Sequence, residues 1–362
     1  SQRSEFMPWR SLVAEPFPGP RDIFDYYFFQ SYRRGAKKIP TMSQAQLLQV
    51  KNLNTRIFLK AAVVKAVCDF ELEVLEGEIL CIIGESGCGK TMSMLSLTNL
   101  LPQRAKITSG QILFNGSPLA LGDEKQLQTI RGSQMSYIFQ DPYAYLNPLM
   151  SVGEQIQEVL IVHNKLNQAE SKNAALELLD VVGLSPAQTY FSYFPHQLSG
   201  GMNQRVMIAM AIASKPKLLI ADEPTSSLDR LTEIKILRLL LELNKQRGLS
   251  IILITHNISI IEGFAQRVAI MYAGRIVEIG STDEIMKNPQ HPYTIALLEC
   301  IPHQSSEKRL LKTIKGNVPE LSQLPEGCTF HPRCEYVMEE CLKSEPRFKQ
   351  ITQTHFVKCY LR

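Results

Sequence analysis

From Gln46 onward, short apolar runs alternate with longer amphipathic stretches. The runs at 47–50, 70–74, 79–83, 112–114, 135–139, 218–221, 251–254 and 268–271 have the length and composition of buried strands. The stretches 92–101, 154–162, 168–182, 202–213 and 231–247 repeat apolar residues at three and four spacing, which predicts helices with one buried face. Strands alternating with helices predict an α/β fold with a mostly parallel sheet. The block from about 142 to 214 reads as helical throughout, a subdomain inserted in the sheet domain. After Gly280 the alternation weakens and Pro and Cys rise, which marks a C-terminal appendage over 281–362.

Residues 1–41 follow another pattern. Pro8, Pro16, Pro18 and Pro20 break any regular element. The aromatic run at 23–29 precedes Arg33, Arg34, Lys37 and Lys38. That combination reads either as an added leader or as a segment lying at a membrane surface. Met42 reads as a native start.

Composition narrows the class. At 362 residues, 44% apolar and 20% charged, the chain has material for roughly two to three domains and a large core. Disordered and fibrous classes are excluded. No apolar run approaches the roughly 18 residues of a membrane helix. The net charge of +4, from 39 basic and 35 acidic residues, is too mild to argue for nucleic acid. The start has no signal-peptide core, so the eight cysteines do not read as a secreted disulfide framework.

The string Gly84-Glu85-Ser86-Gly87-Cys88-Gly89-Lys90-Thr91 follows a strand-like run and opens a helix-like one, the context a phosphate-binding loop requires. Glycines let backbone N–H groups curl around phosphate oxygens. The next helix turns its positive end to the anion. Lys90 would reach the β- and γ-phosphates, and the Thr91 hydroxyl would ligate Mg²⁺. Cys88 is read as a small loop residue rather than a reactive thiol. The strand at 218–221 ends in Asp222 and Glu223. Asp222 is the candidate Mg²⁺ carboxylate, and Glu223 the group that polarises the attacking water.

Leu198-Ser199-Gly200-Gly201-Met202-Asn203-Gln204-Arg205 resembles the signature of ABC-transporter ATPases. Other elements of that family stand in order around it: Gln140, the Ser226-Ser227-Leu228-Asp229 string, and His256. The resemblance covers about 46–280 and implies a P-loop NTPase of the ABC ATPase type, with a mixed sheet core plus an inserted helical subdomain. It also implies that two such domains pair head to tail. Ser199, Gly200 and Gly201 would then serve the partner's nucleotide, Gln140 would touch Mg²⁺ or the water, His256 the γ-phosphate, and Asp229 would link the two sites. Phe58 is the sole aromatic between Arg56 and Val64, where the family's adenine-stacking residue is expected.

Two stretches resemble one branch, the ATPase subunits of oligopeptide/dipeptide importers, which also contains nickel importers. They are Phe139-Gln140-Asp141-Pro142 continuing to Leu146-Asn147-Pro148, and Pro289-Gln290-His291-Pro292-Tyr293-Thr294 followed by Leu297, Leu298 and Pro302. The branch implies ATP hydrolysis coupled to import of di- and oligopeptides, with nickel, glutathione or haem as alternative cargoes. It implies a second ABC ATPase subunit (the form Gly-Gly-Met suggests a heterodimer), two transmembrane permease subunits, and an extracytoplasmic solute-binding protein. It places the chain peripherally on the cytoplasmic face of a bacterial inner membrane. A soluble ABC ATPase acting on ribosomes or DNA, or a regulatory subunit that binds ATP without turnover, are the competing readings.

Cys328, Cys334, Cys341 and Cys359 are separated by five, six and seventeen residues, unlike the paired C-x₂-C of a zinc ribbon. By themselves they fit a metal centre, a zinc site or four unligated thiols, with His331 and His355 nearby as further donors. The resemblance to the importer branch implies a [4Fe–4S] cluster held by the four. Cys68, Cys81 and Cys300 sit in apolar contexts and read as buried hydrophobes.

Overall fold

The computed structural model describes residues 45–300 and 313–362; the expectations for 1–41 and Pro302 lie outside the described residues. Its strands are β1 (Gln46–Phe58), β2 (Val63–Leu75), β3 (Ile79–Ile83), β4 (Ala105–Phe114), β5 (Ser117–Pro118), β6 (Met135–Ile138), β7 (Leu218–Asp222), β8 (Ser250–Thr255), β9 (Arg267–Tyr272), β10 (Arg275–Ser281), β11 (Lys349–Gln350) and β12 (Phe356–Val357). Its helices are α1 (Lys90–Leu97), α2 (Glu124–Ile130), α3 (Pro142–Tyr145), α4 (Val152–Asn164), α5 (Gln168–Val181), α6 (Ala187–Phe191), α7 (Gly200–Ile212), α8 (Arg230–Arg247), α9 (Thr282–Lys287), α10 (Pro292–Glu299) and α11 (Glu339–Lys343). These fall into two compact units: Gln128–Ile251, and the residues up to Leu127 together with those from Ile252 on.

The second unit holds an antiparallel sheet in the order β2-β1-β4-β5 and the strands β11-β12-β10-β9-β3-β8 of another. The expected parallel pairing appears between β3 and β9. The β9–β10, β10–β12 and β11–β12 pairs are antiparallel, so the sheet is mixed. The cause is local. Ala273 and Gly274 both take positive φ, 45° and 83°, which folds the chain back in a tight hairpin. All five side chains of β3 are buried; at about 1.5–3 kcal/mol per large apolar side chain this strand anchors the core. Ser93, Met94, Ser96 and Leu97 of α1 are buried as well.

The first unit pairs β6 with β7 in parallel and carries α3 to α8. The helix starts are set by sequence. Ser151 with Glu154, and Asn167 with Glu170, form reciprocal capping boxes at α4 and α5, which satisfy otherwise orphaned N–H groups. Helix α8 starts at Asp229, whose carboxylate accepts from the amides of Leu231 and Thr232. It ends at Gly248, whose φ of 64° lets its N–H return to the Asn244 carbonyl. No helix among the described residues is long and apolar enough to cross a membrane.

Candidate functional site

The phosphate loop lies in the second unit, between β3 and α1. Its shape depends on glycine at two points. A Cβ on Gly84 would meet the Met271 carbonyl oxygen at 2.1 Å, and one on Gly89 (φ 100°) the Ala66 carbonyl oxygen at 2.3 Å. Both clashes are with backbone, so neither position accepts a side chain without the loop moving. Lys90 is buried and rests its ammonium on the carbonyls of Gly84 and Glu85, at 2.9 and 3.0 Å. Thr91, Ser86 and Gly87 are exposed. Cys88 is fully buried. Burial pushes its thiol up despite the Lys90 charge, which makes it an inert packing residue. His256 is exposed just beyond β8. Phe58 is 44% exposed at the end of β1.

The first unit holds the carboxylate group of residues. Strand β7 delivers Asp222, which is 2% exposed, and the chain then turns through Glu223 at a φ of 45°. A non-glycine residue rarely holds that left-handed conformation unless its surroundings require it. Here it follows directly on the buried strand and aims the Glu223 carboxylate to within 3.4 Å of the Gln140 amide, which donates to it. Asp222 accepts from the Tyr137 hydroxyl at 3.0 Å. Burial, with the Asp222 charge beside it, pushes the Tyr137 phenol far up. It therefore stays a donor and orients Asp222, a role that sequence pattern does not assign, although Tyr137 stands three residues before Gln140. The Tyr143 hydroxyl reaches the Leu198 carbonyl at 3.5 Å, so the segment after Gln140 touches the residue preceding Ser199.

Ser199 caps α7 by accepting from the Met202 amide. A Cβ on Gly201 would meet the Thr232 methyl at 2.6 Å, so a glycine is needed for α7 to lie against α8. Asp229 is exposed. The Thr232 hydroxyl and the amides at the start of α8 hold its carboxyl below the usual range. These small residues and the open helix start leave a surface that an anion from another molecule can approach closely.

The four C-terminal cysteines line one cavity in the second unit, together with His291 and His331. Burial pushes the Cys328 thiol up to about 12, with Cys341 and Cys359 nearby adding to it; Cys334 and Cys359 are raised by burial too. Burial thus favours the neutral thiol form of Cys328, Cys334 and Cys359. Among the described residues, no three His, Cys, Asp or Glu side chains gather tightly enough to hold one metal ion. The expected metal centre is therefore not present as a ready-made ion site; what stands there is four thiols facing a common space. His355 does not join them. Its Nε2 donates to Glu278 at 2.7 Å.

Comparison with known proteins bears on both units. Residues 67–226 match the ABC transporter family, and residues 277–341 the oligopeptide/dipeptide transporter C-terminal region. The chain is 41% identical over 321 residues to the dipeptide transport ATP-binding protein DppD of Lactococcus lactis subsp. cremoris, covering 88% of this chain and 92% of that protein. It is 43% identical over 318 residues to the oligopeptide transport ATP-binding protein OppD of Bacillus subtilis, covering 87% and 89%. Among solved structures, it is similar to the dimeric ATP-binding cassette MJ0796 in a post-hydrolysis state bound to ADP and Pi. That match has a TM-score of 0.59 at 29% identity, over 65% of this chain and 99% of that one.

Proposed function

Because the chain belongs to the ABC-transporter ATP-binding subunits of the oligopeptide/dipeptide type, we propose that it hydrolyses ATP to drive uptake of di- and oligopeptides. The observation that carries this reading is the presence, in one chain, of the ABC ATPase region and of that transporter type's C-terminal region. A soluble ABC ATPase has no use for the second.

The residues divide the work. The loop 84–91 and Lys90 bind the triphosphate. Thr91 and Asp222 would hold Mg²⁺, which neutralises charge on the transferring phosphoryl group. Glu223 takes up the proton side of the attack by orienting the water, with Gln140 fixing its carboxylate. His256 would steady the γ-phosphate. Ser199, Gly200 and Gly201 serve the nucleotide of a second ATPase subunit paired head to tail, and Asp229 acts at that interface. Tyr143 and Tyr145, each 55% exposed, and Leu149, 86% exposed, follow Gln140 directly and offer an apolar surface to the membrane permeases. The domain limits follow the same division, with an ATPase part over 42–280 containing a helical part at about 142–214, and an appendage over 281–362. The subunit works peripherally on the cytoplasmic face of the membrane, while a receptor outside selects the solute.

Cys328, Cys334, Cys341 and Cys359 line one small cavity; among the described residues no ready-made metal site is formed. For these four, the resemblance to the importer branch implies a [4Fe–4S] cluster, whose usual ligands are four cysteine thiolates. When bound it would crosslink a segment poor in regular structure. About four irons and four sulfides per anaerobically purified chain would support it; a thiol count of eight with no metal would refute it.

Glu223→Gln tests the function. In the assembled transporter it should bind ATP with unchanged affinity and lose at least about a hundredfold in turnover, along with dipeptide uptake. Turnover near wild type would overturn the assignment of Glu223. Wild-type turnover without uptake of any peptide would overturn the cargo.

A further inference from the structure

The C-terminal segment reaches the phosphate loop directly. Glu85, the loop's second residue, is held from two sides. Its backbone N–H donates to the Tyr293 hydroxyl at 3.0 Å. Its carboxylate accepts from the Arg333 guanidinium at 2.9 Å. Neither holding residue is free to drift. Tyr293 is fully buried in the first turn of α10, where its own amide is capped by the His291 ring at 3.0 Å. The Arg333 side chain is 4% exposed. Its other donors go to the Lys315 carbonyl at 2.9 Å and the Ile314 carbonyl at 3.4 Å, and its Cζ lies 5.7 Å from the centre of the Tyr272 ring. A guanidinium fixed on several edges presents the remaining one in a set direction.

The held residue matters for the loop's working part. The carbonyls of Gly84 and Glu85 are where Lys90 rests its ammonium. Fixing Glu85 thus fixes the acceptors from which Lys90 must move to a phosphate. From this geometry we infer that Tyr293 and Arg333 are positioning residues for nucleotide binding: through Glu85 they keep the leading limb of the phosphate loop, and Lys90 with it, ordered before ATP arrives. Without them, binding must also order the loop, and affinity falls by the fraction of time the loop is competent. The chemical step, carried by Glu223, is untouched. The inference rests on the ATP-site reading above, and the test separates the two.

The test uses the full chain in its transporter. ATP affinity is measured by calorimetry with Mg²⁺, and KM and kcat by phosphate release, for Arg333→Gln, Arg333→Lys, Tyr293→Phe, Glu85→Gln and the double variant Arg333→Gln/Glu85→Gln. Lys90→Ala is the reference. Arg333→Gln and Tyr293→Phe should weaken ATP binding about five- to thirtyfold and raise KM in step, with kcat within about twofold. Arg333→Lys should recover part of the loss. The double variant should bind no more weakly than Arg333→Gln alone, because the two residues act as one contact. Wild-type affinity in Arg333→Gln, beside lost affinity in Lys90→Ala, would overturn the inference and leave the ATP site standing. Additive losses in the double variant, or equal falls in kcat and kcat/KM, would overturn it too. Unchanged affinity in Lys90→Ala would instead overturn the phosphate-loop reading itself. If Arg333→Gln does not fold, Glu85→Gln and Tyr293→Phe decide between the outcomes, since each removes one polar contact and leaves the packing.

Discussion

Replacing Glu278 by alanine should loosen the base of α10 and, through it, the ATP site. Glu278 lies in β10 and is fully buried. Its two oxygens accept from the Gln290 amide at 2.7 Å, the His291 amide at 2.9 Å and His355 Nε2 at 2.7 Å. Alanine would orphan three buried donors. At roughly 1–3 kcal/mol for each unsatisfied group, less what water in the vacated space returns, the local loss is about 3–5 kcal/mol. That is a large part of the 5–15 kcal/mol typical of a whole domain. The assay is amide hydrogen exchange over 288–299, because it reads local opening rather than global unfolding. A loss of 3 kcal/mol corresponds to about 150-fold faster exchange at the Gln290 and His291 amides. Glu278→Gln, which keeps one carbonyl oxygen, should fall between. Exchange within about fivefold of wild type in Glu278→Ala would refute the reasoning, since the three donors would then have found other acceptors at little cost.

The other predictions are shorter. Lys90→Ala should weaken ATP binding at least tenfold, read by calorimetry, because it removes the loop's buried ammonium. Gly327→Ala should destabilise the cysteine-bearing segment by about 2–4 kcal/mol, read as a lower urea midpoint or faster exchange over 325–345. Gly327 sits at a φ of 70°, and an added Cβ would meet the Cys341 carbonyl oxygen at 2.2 Å. Acidification should loosen the start of α10. Burial holds the His291 ring down to about 3 from an ordinary value of 6.5, so the unfolded form binds the extra proton across that window. Stability from this group is complete above about pH 6.5 and falls as pH drops towards 3, at up to about 1.4 kcal/mol per pH unit. His291→Asn, which keeps a capping acceptor without a titrating ring, should flatten that slope in a pH series of urea midpoints.

Much of this was legible because burial writes itself as apolar runs. Strands β3, β7, β8 and β9 are buried almost throughout, and each carries an unbroken apolar run, at 79–83, 218–221, 251–254 and 268–272. Strands β1 and β2 were visible only at 47–50 and 70–74. Their remaining residues show no regular alternation, with Leu53-Asn54-Thr55 and Ala66-Val67-Cys68 buried in succession, and their pairing shifts register several times. Strand β10 shows no unbroken apolar run because Glu278 interrupts it, a carboxylate buried against the Gln290 and His291 amides and His355, all outside the strand. The site divided in the same way. Lys90, Asp222 and Glu223 announce themselves by local spacing, while Gln140 and the Ser199 motif are read through the family resemblance. Tyr137 on Asp222 and the two grips on Glu85 do not, because each joins residues 85 to 248 positions apart. The string 291–294 was readable as a family mark; what it does, placing a phenol under the phosphate loop, belongs to the fold.

The grip on Glu85 makes one more demand, an asymmetry between its partners. Glu85 is 29% exposed on its side chain, whereas Arg333 is 4% exposed. Removing the carboxylate with Glu85→Gln leaves an amide oxygen in place, and the guanidinium keeps the Lys315 and Ile314 carbonyls and the Tyr272 hydroxyl. With solvent screening on the Glu85 side, the stability loss should be about 1 kcal/mol or less. Removing the guanidinium with Arg333→Ala takes all of those contacts and its stacking on Tyr272. It leaves two carbonyls, a hydroxyl and a carboxylate without their donor. At roughly 1 kcal/mol for each net hydrogen bond and more for the charged one, the loss should be about 3–5 kcal/mol. The two substitutions break the same ion pair, so any account in which the pair alone matters predicts equal effects. Urea midpoints of the two variants that coincide within error would decide for that simpler account and against Arg333 as the node that ties the C-terminal segment together.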